Sequence, residues 1–527
     1  MLVKEVYLTP VCQSRVVWFR IFHQPGCLAL LSNTYIGTGR FLEETLVRYQ
    51  VVCYLIGTLL CFIALSLLVP LACALWWGEP TVVAFAVTVG LGLGAGMLLR
   101  GRTRTGSEEV TSREGFLAVT AVWLVGSFLG ALPFWLSGGI PDGVDAWFET
   151  VSGLTTTGAS ILTNIEALPK SLLFWRSMTH WLGGLGIVVM VIAVLPSLGV
   201  GGLYLLRGEA GLTPERFTPR LVQTAQLLFG IYAALTGLET VLLLLCDMSL
   251  FDALTNTFGT IATGGFSPRN TSIAAYHSLS IELVIIVFML LGGTNFGLYY
   301  RVLSGRWREA WSNPEWRLMV FVLSLATLLV AGDLLEAGSY TSVPQALREA
   351  AFQTVSVGTT TGFATADFAG WPSFSQGLLV VLMFVGASLG STSGAIRLGR
   401  LILFGKLMAY QLRRLIRPRQ VEVLTVDGTT VEREALAYVT AYVELYMGLA
   451  VAASLLLTGF GIDLVTSVSA VATTLGGVGP GLNLVGPMSN FSMLPVGAKL
   501  VLIGCMLVGR LELYTPLILC VPAFWRL

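Results

Sequence analysis

The stretch DAWFETVSGLTTTGAS, residues 145–160, decides how the rest of the chain is read. It lies between two long apolar runs, yet it is semi-polar and rich in Thr and Gly. About a dozen residues reach only ~18 Å as a helix. That is half the hydrocarbon core of a bilayer, so the segment has to enter and return on one side. The same pattern recurs as DALTNTFGTIATGGFS (252–267) and EAAFQTVSVGTTTGFA (349–364), and more loosely as DLVTSVSAVATTLGGVGPG (463–481). In the first three copies an acid stands 13 residues before a glycine: Asp145 to Gly158, Asp252 to Gly265, Glu349 to Gly362. Threonines stand eight before it (Thr150, Thr257, Thr354) and two before it (Thr156, Thr263, Thr360). The fourth copy centres on Gly479, with Asp463 16 residues back and Val471 and Gly477 at the threonine positions.

Working outward, each copy has an apolar run before and after it. Ten runs approach the roughly 20 apolar residues that span a bilayer, near 51–77, 80–100, 115–138, 171–196, 227–248, 279–300, 317–335, 377–403, 436–459 and 498–523. The composition agrees: 12% charged residues, against about a quarter in a soluble domain, cannot clothe a water-facing surface. The fold expected is an all-α polytopic membrane protein. Two leading transmembrane helices precede four pseudo-symmetric span–pore helix–span repeats around one pore. The divisions expected are a cytoplasmic arm (1–50), a leading pair (51–113), repeats at 114–196, 197–316 and 317–408, and a cytoplasmic loop with the fourth repeat (409–527).

Basic residues set the orientation. The first 50 residues and the loops near 100–114, 197–226, 301–317 and 397–435 hold 24 of the 31 Lys and Arg, whereas the opposite loops hold Lys170, Arg269 and Arg348. By the positive-inside rule the N-terminus is cytoplasmic. Of the eight cysteines (Cys12, Cys27, Cys53, Cys61, Cys73, Cys246, Cys505, Cys520) none is expected in an external loop and no pair is spaced CxxC, so neither a disulfide framework nor a metal centre is indicated.

Non-helical backbone at membrane depth persists only where it is buried in protein or lines water. Glycines in the return strand let successive carbonyls turn toward an axis. An acid at the start of each short helix is placed to cap it. The partly negative C-terminal ends then face the centre, where they favour a cation. Carbonyl oxygens that replace a hydration shell are the principle of a potassium filter.

At these residues the chain resembles the Trk/Ktr/HKT superfamily of potassium transporters, and most the TrkH-type membrane subunit. The likeness runs from about 51 to 527. It rests on TTTGAS, ATGGFSP, TTTGFAT and GGVGPG, on the runs that follow them, and on VGRLELYTP (508–516). The resemblance implies gated potassium uptake across a bacterial cytoplasmic membrane, with filter glycines Gly158, Gly265, Gly362 and Gly479 contacting the ion through their carbonyls. Their neighbours Thr156, Thr157, Thr263, Gly264, Thr360, Thr361, Gly477 and Val478 belong to the same filter. In relatives of the HKT branch a serine at the first glycine goes with sodium preference, so Gly158 favours potassium. The family also implies a homodimer on a cytosolic ring of nucleotide-binding TrkA-type subunits. Membrane lipid is the other expected contact, with no cofactor beyond the transported ion and no nucleic acid.

Two further features carry chemistry. The run MFVGASLGSTSGAIRLGR (383–400) holds Gly386, Ser388, Gly390, Ser391, Thr392, Ser393 and Gly394, which are poor helix formers together. A helix broken at mid-depth lines a cavity or packs through its hydroxyls, and the family places a gating loop here. The runs after the first, second and fourth loops are expected to be largely continuous. Arg510, inside CMLVGRLELY, has to face a partner or a wet cavity: an ion pair with Glu512 is one reading, and the family implies a pore-facing barrier beside the gate.

Three other functions compete for these residues. Gly386–Gly390 matches GxSxG, the nucleophile elbow of a serine hydrolase, but a base would have to come from His23, His180 or His277. A proton- or sodium-coupled potassium transporter would need titratable groups in the spans, and none stands out. A membrane scaffold leaves the repeat unexplained. The run Leu91–Gly96 suits close helix contact. Arg413, Arg414, Arg417 and Arg419 suit anionic lipid, a cytosolic partner or plain anchoring.

Overall fold

The computed structural model describes residues 48–101, 111–194, 218–418, 425–426, 429–430 and 433–525. The expected N-terminal arm falls outside them except for its last three residues, as do Cys12, Cys27, His23 and Arg419. Apart from a two-residue hairpin pairing Thr425–Val426 with Thr429–Thr430, the described regular structure is helical. Among the described residues, six spans are long and apolar enough to cross a membrane, or seven if the bent pair is counted as one span.

The leading pair of spans is α1 (Tyr49–Ser66) continued by α2 (Leu68–Trp77), and α3 (Val82–Gly101). Pro70 lacks the N–H that the Ser66 carbonyl would receive, and the first span breaks between α1 and α2. Gly57 and Gly96 bring α1 against α3, since a Cβ on either would stand 2.7 Å from the other's carbonyl. The glycine run therefore does serve helix contact.

The next helices are α4 (Ser112–Leu136), α5 (Gly143–Leu154), α6 (Lys170–Val194), α7 (Thr218–Leu245), α8 (Leu250–Ile261) and α9 (Leu279–Gly292). Then come α10 (Phe296–Leu303), α11 (Trp307–Ser312), α12 (Pro314–Glu336), α13 (Val343–Gly358), α14 (Ser373–Val385) and α15 (Leu398–Ile416). The chain closes with α16 (Arg433–Gly459), α17 (Leu464–Gly476), α18 (Val496–Arg510), α19 (Tyr514–Ile518) and α20 (Pro522–Trp525). Long helix, short helix, second helix thus recurs as α4–α5–α6, α7–α8–α9, α12–α13–α14 and α16–α17–α18. The start signals are local: Thr111 and Glu114 form a capping box on α4, and Asn313 caps α12 with Pro314 at its first position.

The second helix of each unit packs on the short helix of the next: α6 on α8, α9 on α13, α14 on α17, and α18 on α5. The cycle closes. Ion pairs follow the same rule, with Glu282 of α9 bidentate to Arg348 of α13 at 2.6 Å and Lys499 of α18 at 2.6 Å from Asp145 of α5.

Two expectations need correction. The second helix after the second loop is not continuous, because the chain bends by 94° between α9 and α10 at Gly292–Asn295. The one after the fourth loop stops at Arg510, followed by left-handed Glu512 and Leu513. With α14, which ends at Val385 as expected, three of the four second helices are broken. At 13 and 15 residues, α14 and α18 each reach only about 20 Å.

The aligned acids are not the caps. Asp142 caps α5 and Ser249 caps α8, each three residues before the aligned acid, and Ser342 precedes α13. Asp463 alone is a cap, accepting from the Thr466 amide at 2.9 Å, and the Thr466 hydroxyl helps hold its carboxyl below the usual carboxylate range. Asp145 and Asp252 sit in the first turn, where the dipole still favours them. They pair instead with Lys499 and Arg269, and Glu349 accepts from the Thr365 hydroxyl.

Candidate functional site

Each short helix ends by turning back on itself in the same way. The N–H of Thr157, Gly264, Thr361 and Val478 donates to the carbonyl five residues earlier, at 2.8 Å in all four loops. The residue before it is left-handed in every copy: Thr156 (φ 51°), Thr263 (51°), Thr360 (59°) and Gly477 (71°). The glycine after it is left-handed too, from 79° at Gly265 to 105° at Gly479. A β-branched residue at positive φ is an outlier, so the surrounding protein holds three threonines in strained backbone. Gly477 takes that conformation without strain. The fourth loop, the least regular in sequence, therefore has the same backbone as the others.

The four loops form a ring. A Cβ on Gly158 would stand 2.1 Å from the Gly264 carbonyl oxygen, on Gly265 2.1 Å from that of Thr361, and on Gly362 1.8 Å from that of Val478. One on Gly479 would stand 2.8 Å from the oxygen of Thr157. Each glycine thus abuts the carbonyl preceding the next loop's glycine, in the same cyclic order as the helix packing. On one side the four glycines line a cavity of about 140 Å³, open between the loops.

Behind the ring is a support that the sequence reading missed. Glu149 of α5 accepts from the Ser160 hydroxyl and the Ile161 amide (2.9 Å each) and from Arg176 of α6 at 2.6 Å. Arg176 also donates to the Ser267 carbonyl at 2.9 Å and lies 3.5 Å over the Phe266 ring. One buried pair therefore ties loop 1 to loop 2. The equivalent position, nine before the glycine, is Asn256 in α8 and Gln353 in α13. Asn256 donates to the Tyr276 hydroxyl at 2.9 Å, and the Gln353 amide lies 2.8 Å from the Thr365 nitrogen. In loop 4 the residue is Ala470, and its neighbour Ser469 accepts from the Leu482 amide at 3.1 Å. The signal was in plain view: Glu-Thr, Asn-Thr and Gln-Thr at one register.

On the opposite side of the ring from the cavity lies the loop 386–397. Thr392 Oγ1 is 3.2 Å from the Thr263 hydroxyl and donates to the carbonyls of Ile261 (3.0 Å) or Gly292 (3.1 Å). The Ser393 hydroxyl is 3.1 Å from Thr360 Oγ1, which accepts from the Gly394 amide at 2.9 Å. A Cβ on Gly394 would fall 2.2 Å from the Gly476 carbonyl. The loop therefore sits directly against the strained threonines of loops 2 and 3 and the end of α17. Glu315 holds it from α12, accepting from the amides of Leu389 (2.6 Å) and Gly399 (2.8 Å).

Arg510 donates through Nη1 to the Thr392 carbonyl at 2.7 Å. Its Nε and Nη2 are buried with no hydrogen-bond partner among the described residues. Glu512 is not its ion-pair partner: that carboxylate is taken by Arg397, at 2.9 Å, and by Arg400. The ion-pair reading of Arg510 therefore gives way to a hydrogen bond onto the loop, and the hydroxyls of Thr392 and Ser393 pack the loop against its neighbours.

Among the described residues the hydrolase constellation is not assembled. Ser388 lies in a loop between helices rather than at a strand–helix turn, with its hydroxyl 3.9 Å from the Met319 sulfur, and His180 is held by the Gly153 carbonyl at 2.7 Å. A titratable group that the sequence reading passed over is Glu239 of α7, buried with neither carboxyl oxygen hydrogen-bonded among the described residues and facing the Thr260 side chain of α8.

The TrkH family model, described as a cation transport protein, matches residues 93–526. The Trk system potassium uptake protein TrkH of Vibrio parahaemolyticus is 37% identical over 485 residues, covering 91% of this chain and 100% of that protein. TrkH of Escherichia coli K12 is 36% identical over 483 residues with the same coverage, and the potassium uptake protein TrkG of that strain is 31% identical over 481. The crystal structure of the potassium transporter TrkH from Vibrio parahaemolyticus superposes with a TM-score of 0.84, over 91% of this chain and 100% of that one.

Proposed function

The chain belongs to the TrkH family of cation transport proteins, and from that premise we propose that it takes up potassium across the cytoplasmic membrane through the ring of four glycine loops. It is a multi-pass membrane protein and a transporter, not an enzyme. The observation that carries the proposal is the closed cyclic order in which each loop's glycine meets the next loop's carbonyl. A potassium ion on that axis exchanges its water for the carbonyls of Thr157, Gly264, Thr361, Val478 and the glycines beside them. The C-terminal ends of α5, α8, α13 and α17 run into these loops and favour a cation there.

The gate in this reading is the loop 386–394 with Arg510. The loop obstructs the path below the ring, and a guanidinium whose Nε and Nη2 have no partner among the described residues raises the energy of a cation beside it. A homodimer, and a cytosolic nucleotide-binding subunit of TrkA type that moves the loop, complete the proposal. The N-terminus is then cytoplasmic.

The test is radioactive rubidium uptake into proteoliposomes with a potassium-loaded interior, competed by external K⁺, Na⁺ or Li⁺. Arg510→Ala is expected to raise uptake about tenfold or more, the size of one charge removed at close range. Flux that stays flat in this variant and in a deletion within 386–394 rules out the gate assignment. Gly158→Ser is expected to weaken discrimination of potassium from sodium, because a Cβ there stands 2.1 Å from the Gly264 oxygen and must push the two loops apart. Unchanged selectivity removes Gly158 from the filter.

Glu239 favours a second reading, in which potassium movement is coupled to protons. A buried carboxyl beside a pore helix, facing Thr260 and with no hydrogen bond within normal geometry among the described residues, is the kind of group a proton relay uses. Reversal potentials that shift with the proton gradient as well as the potassium gradient would select it.

A further inference from the structure

The 94° bend after α9 sends α10 across the direction of the span, and α11 follows before α12 crosses back. This elbow lies at the end of the second repeat remote from the 140 Å³ cavity. Phe296 and Leu298 anchor it inside, while Leu303 is 72% exposed, Trp307 54% and Trp311 60%. Arg301, Arg306 and Arg308 run along the same stretch. Its exposed acid is Glu309, 3.7 Å from Arg306 in a surface pair of the weakest kind. Large apolar side chains interleaved with arginines, on helices lying across the span direction, match the boundary between acyl chains and phosphates. The charge excess selects anionic headgroups.

The elbow is also fastened to the loop beneath the ring. The Phe296 amide donates to the Gly390 carbonyl at 3.0 Å, and the Ser388 amide to the Gly293 carbonyl at 3.1 Å. The Asn295 amide group lies 3.2 Å from where a Cβ on Gly390 would stand. Loop 386–397 therefore has one of its seats on the hinge of the elbow.

We propose that anionic phospholipid of the leaflet remote from the cavity binds the elbow through Arg301, Arg306 and Arg308 and thereby holds loop 386–397 in its seat. The lipid-binding half stands on its own. The regulatory half rests on the reading of that loop as the gate.

The full chain is placed in nanodiscs of phosphatidylcholine alone, or of equal parts phosphatidylcholine and phosphatidylglycerol. Native mass spectrometry of the detergent-solubilised protein with each lipid added measures binding, and backbone hydrogen exchange of 386–397 measures the loop. The wild type is expected to retain phosphatidylglycerol about tenfold better than the R301Q/R306Q/R308Q variant. Its loop is expected to exchange several-fold more slowly in the anionic discs, a difference the variant loses. The R301K/R306K/R308K variant keeps the charge and is expected to behave as wild type; if it behaves as the glutamine variant, headgroup charge is not what the elbow reads and the proposal fails. Equal lipid retention by wild type and glutamine variant overturns the binding. Lipid retention without a change in loop exchange overturns the coupling. Protection of 300–311 that follows protein concentration and ignores lipid assigns the surface to a second copy instead, which also overturns it. Neither measurement uses ion flux, so failure here leaves the potassium reading intact, and loss of that reading leaves the lipid result standing.

Discussion

Gly362→Ala is expected to cut rubidium flux about a hundredfold or more, measured in proteoliposomes in the open-gate Arg510→Ala background. Two independent causes act at this position. Its φ of 83° is a conformation that costs an alanine about 1–2 kcal/mol. The added Cβ would lie 1.8 Å from the Val478 oxygen and 2.9 Å from Pro480 Cδ, and neither neighbour is a flexible side chain. The collision is relieved only by moving the Val478 carbonyl, which belongs to the ring. Gly377→Ala is the control, since a Cβ there meets nothing within 4 Å in an ordinary helical position, and it should conduct as the parent does. Parental flux and selectivity in Gly362→Ala would place the ion path elsewhere.

Glu149→Gln is expected to destabilise the protein by about 3–5 kcal/mol, the penalty for leaving a buried charge without its partner. Arg176 is 3% exposed, and among the described residues it pairs with no other acid, its further contacts being the Ser267 carbonyl and the Phe266 ring. Thermal unfolding in detergent reads the loss. The double variant Glu149→Gln/Arg176→Met removes both charges and should recover much of it, because a buried pair replaced as a whole is often near neutral. If the double variant is no more stable than Glu149→Gln alone, the pair is not what joins loops 1 and 2. Selectivity should still be poorer in the double variant, since neither loop is then tied to the other.

The architecture was legible because bilayer thickness and the repeat register both leave their marks in one dimension. Every apolar run holds helix, although those at 51–77, 279–300, 377–403 and 498–523 are broken into shorter pieces, and all four glycines take left-handed backbone. What escaped was governed by tertiary context. Gly292–Asn295 reads as a few small residues at the end of an apolar run. Only the seat offered by Gly390 and Thr392 makes it a right-angled turn. The acids at 145, 252 and 349 looked like caps because they open the aligned segment, whereas the caps Asp142 and Ser249 lie three residues upstream and outside the alignment. The fourth loop looked degenerate because threonine under constraint and glycine without it reach the same φ, so a shared backbone was hidden by unlike residues. Glu149, Asn256 and Gln353 were passed over because three different side chains mask one position. The pairing of Glu512 with Arg397 and Arg400 rather than with Arg510 depends on a fold that brings segments 112 residues apart together.

The cyclic packing has a consequence for how the chain is made. The last helix of the ring, α18, closes on the first short helix, α5, and their ion pair joins residues separated by 354 positions. At ordinary synthesis rates of 5–20 residues per second, roughly 20 to 70 seconds separate the appearance of Asp145 from that of Lys499. During that interval α5 sits in the membrane with one flank bare, and Asp145 has no lysine. A nascent chain therefore holds three quarters of a ring that cannot seal, and a messenger cut short before α18 yields a product with an open seam for quality-control proteases rather than a smaller, leaky pore.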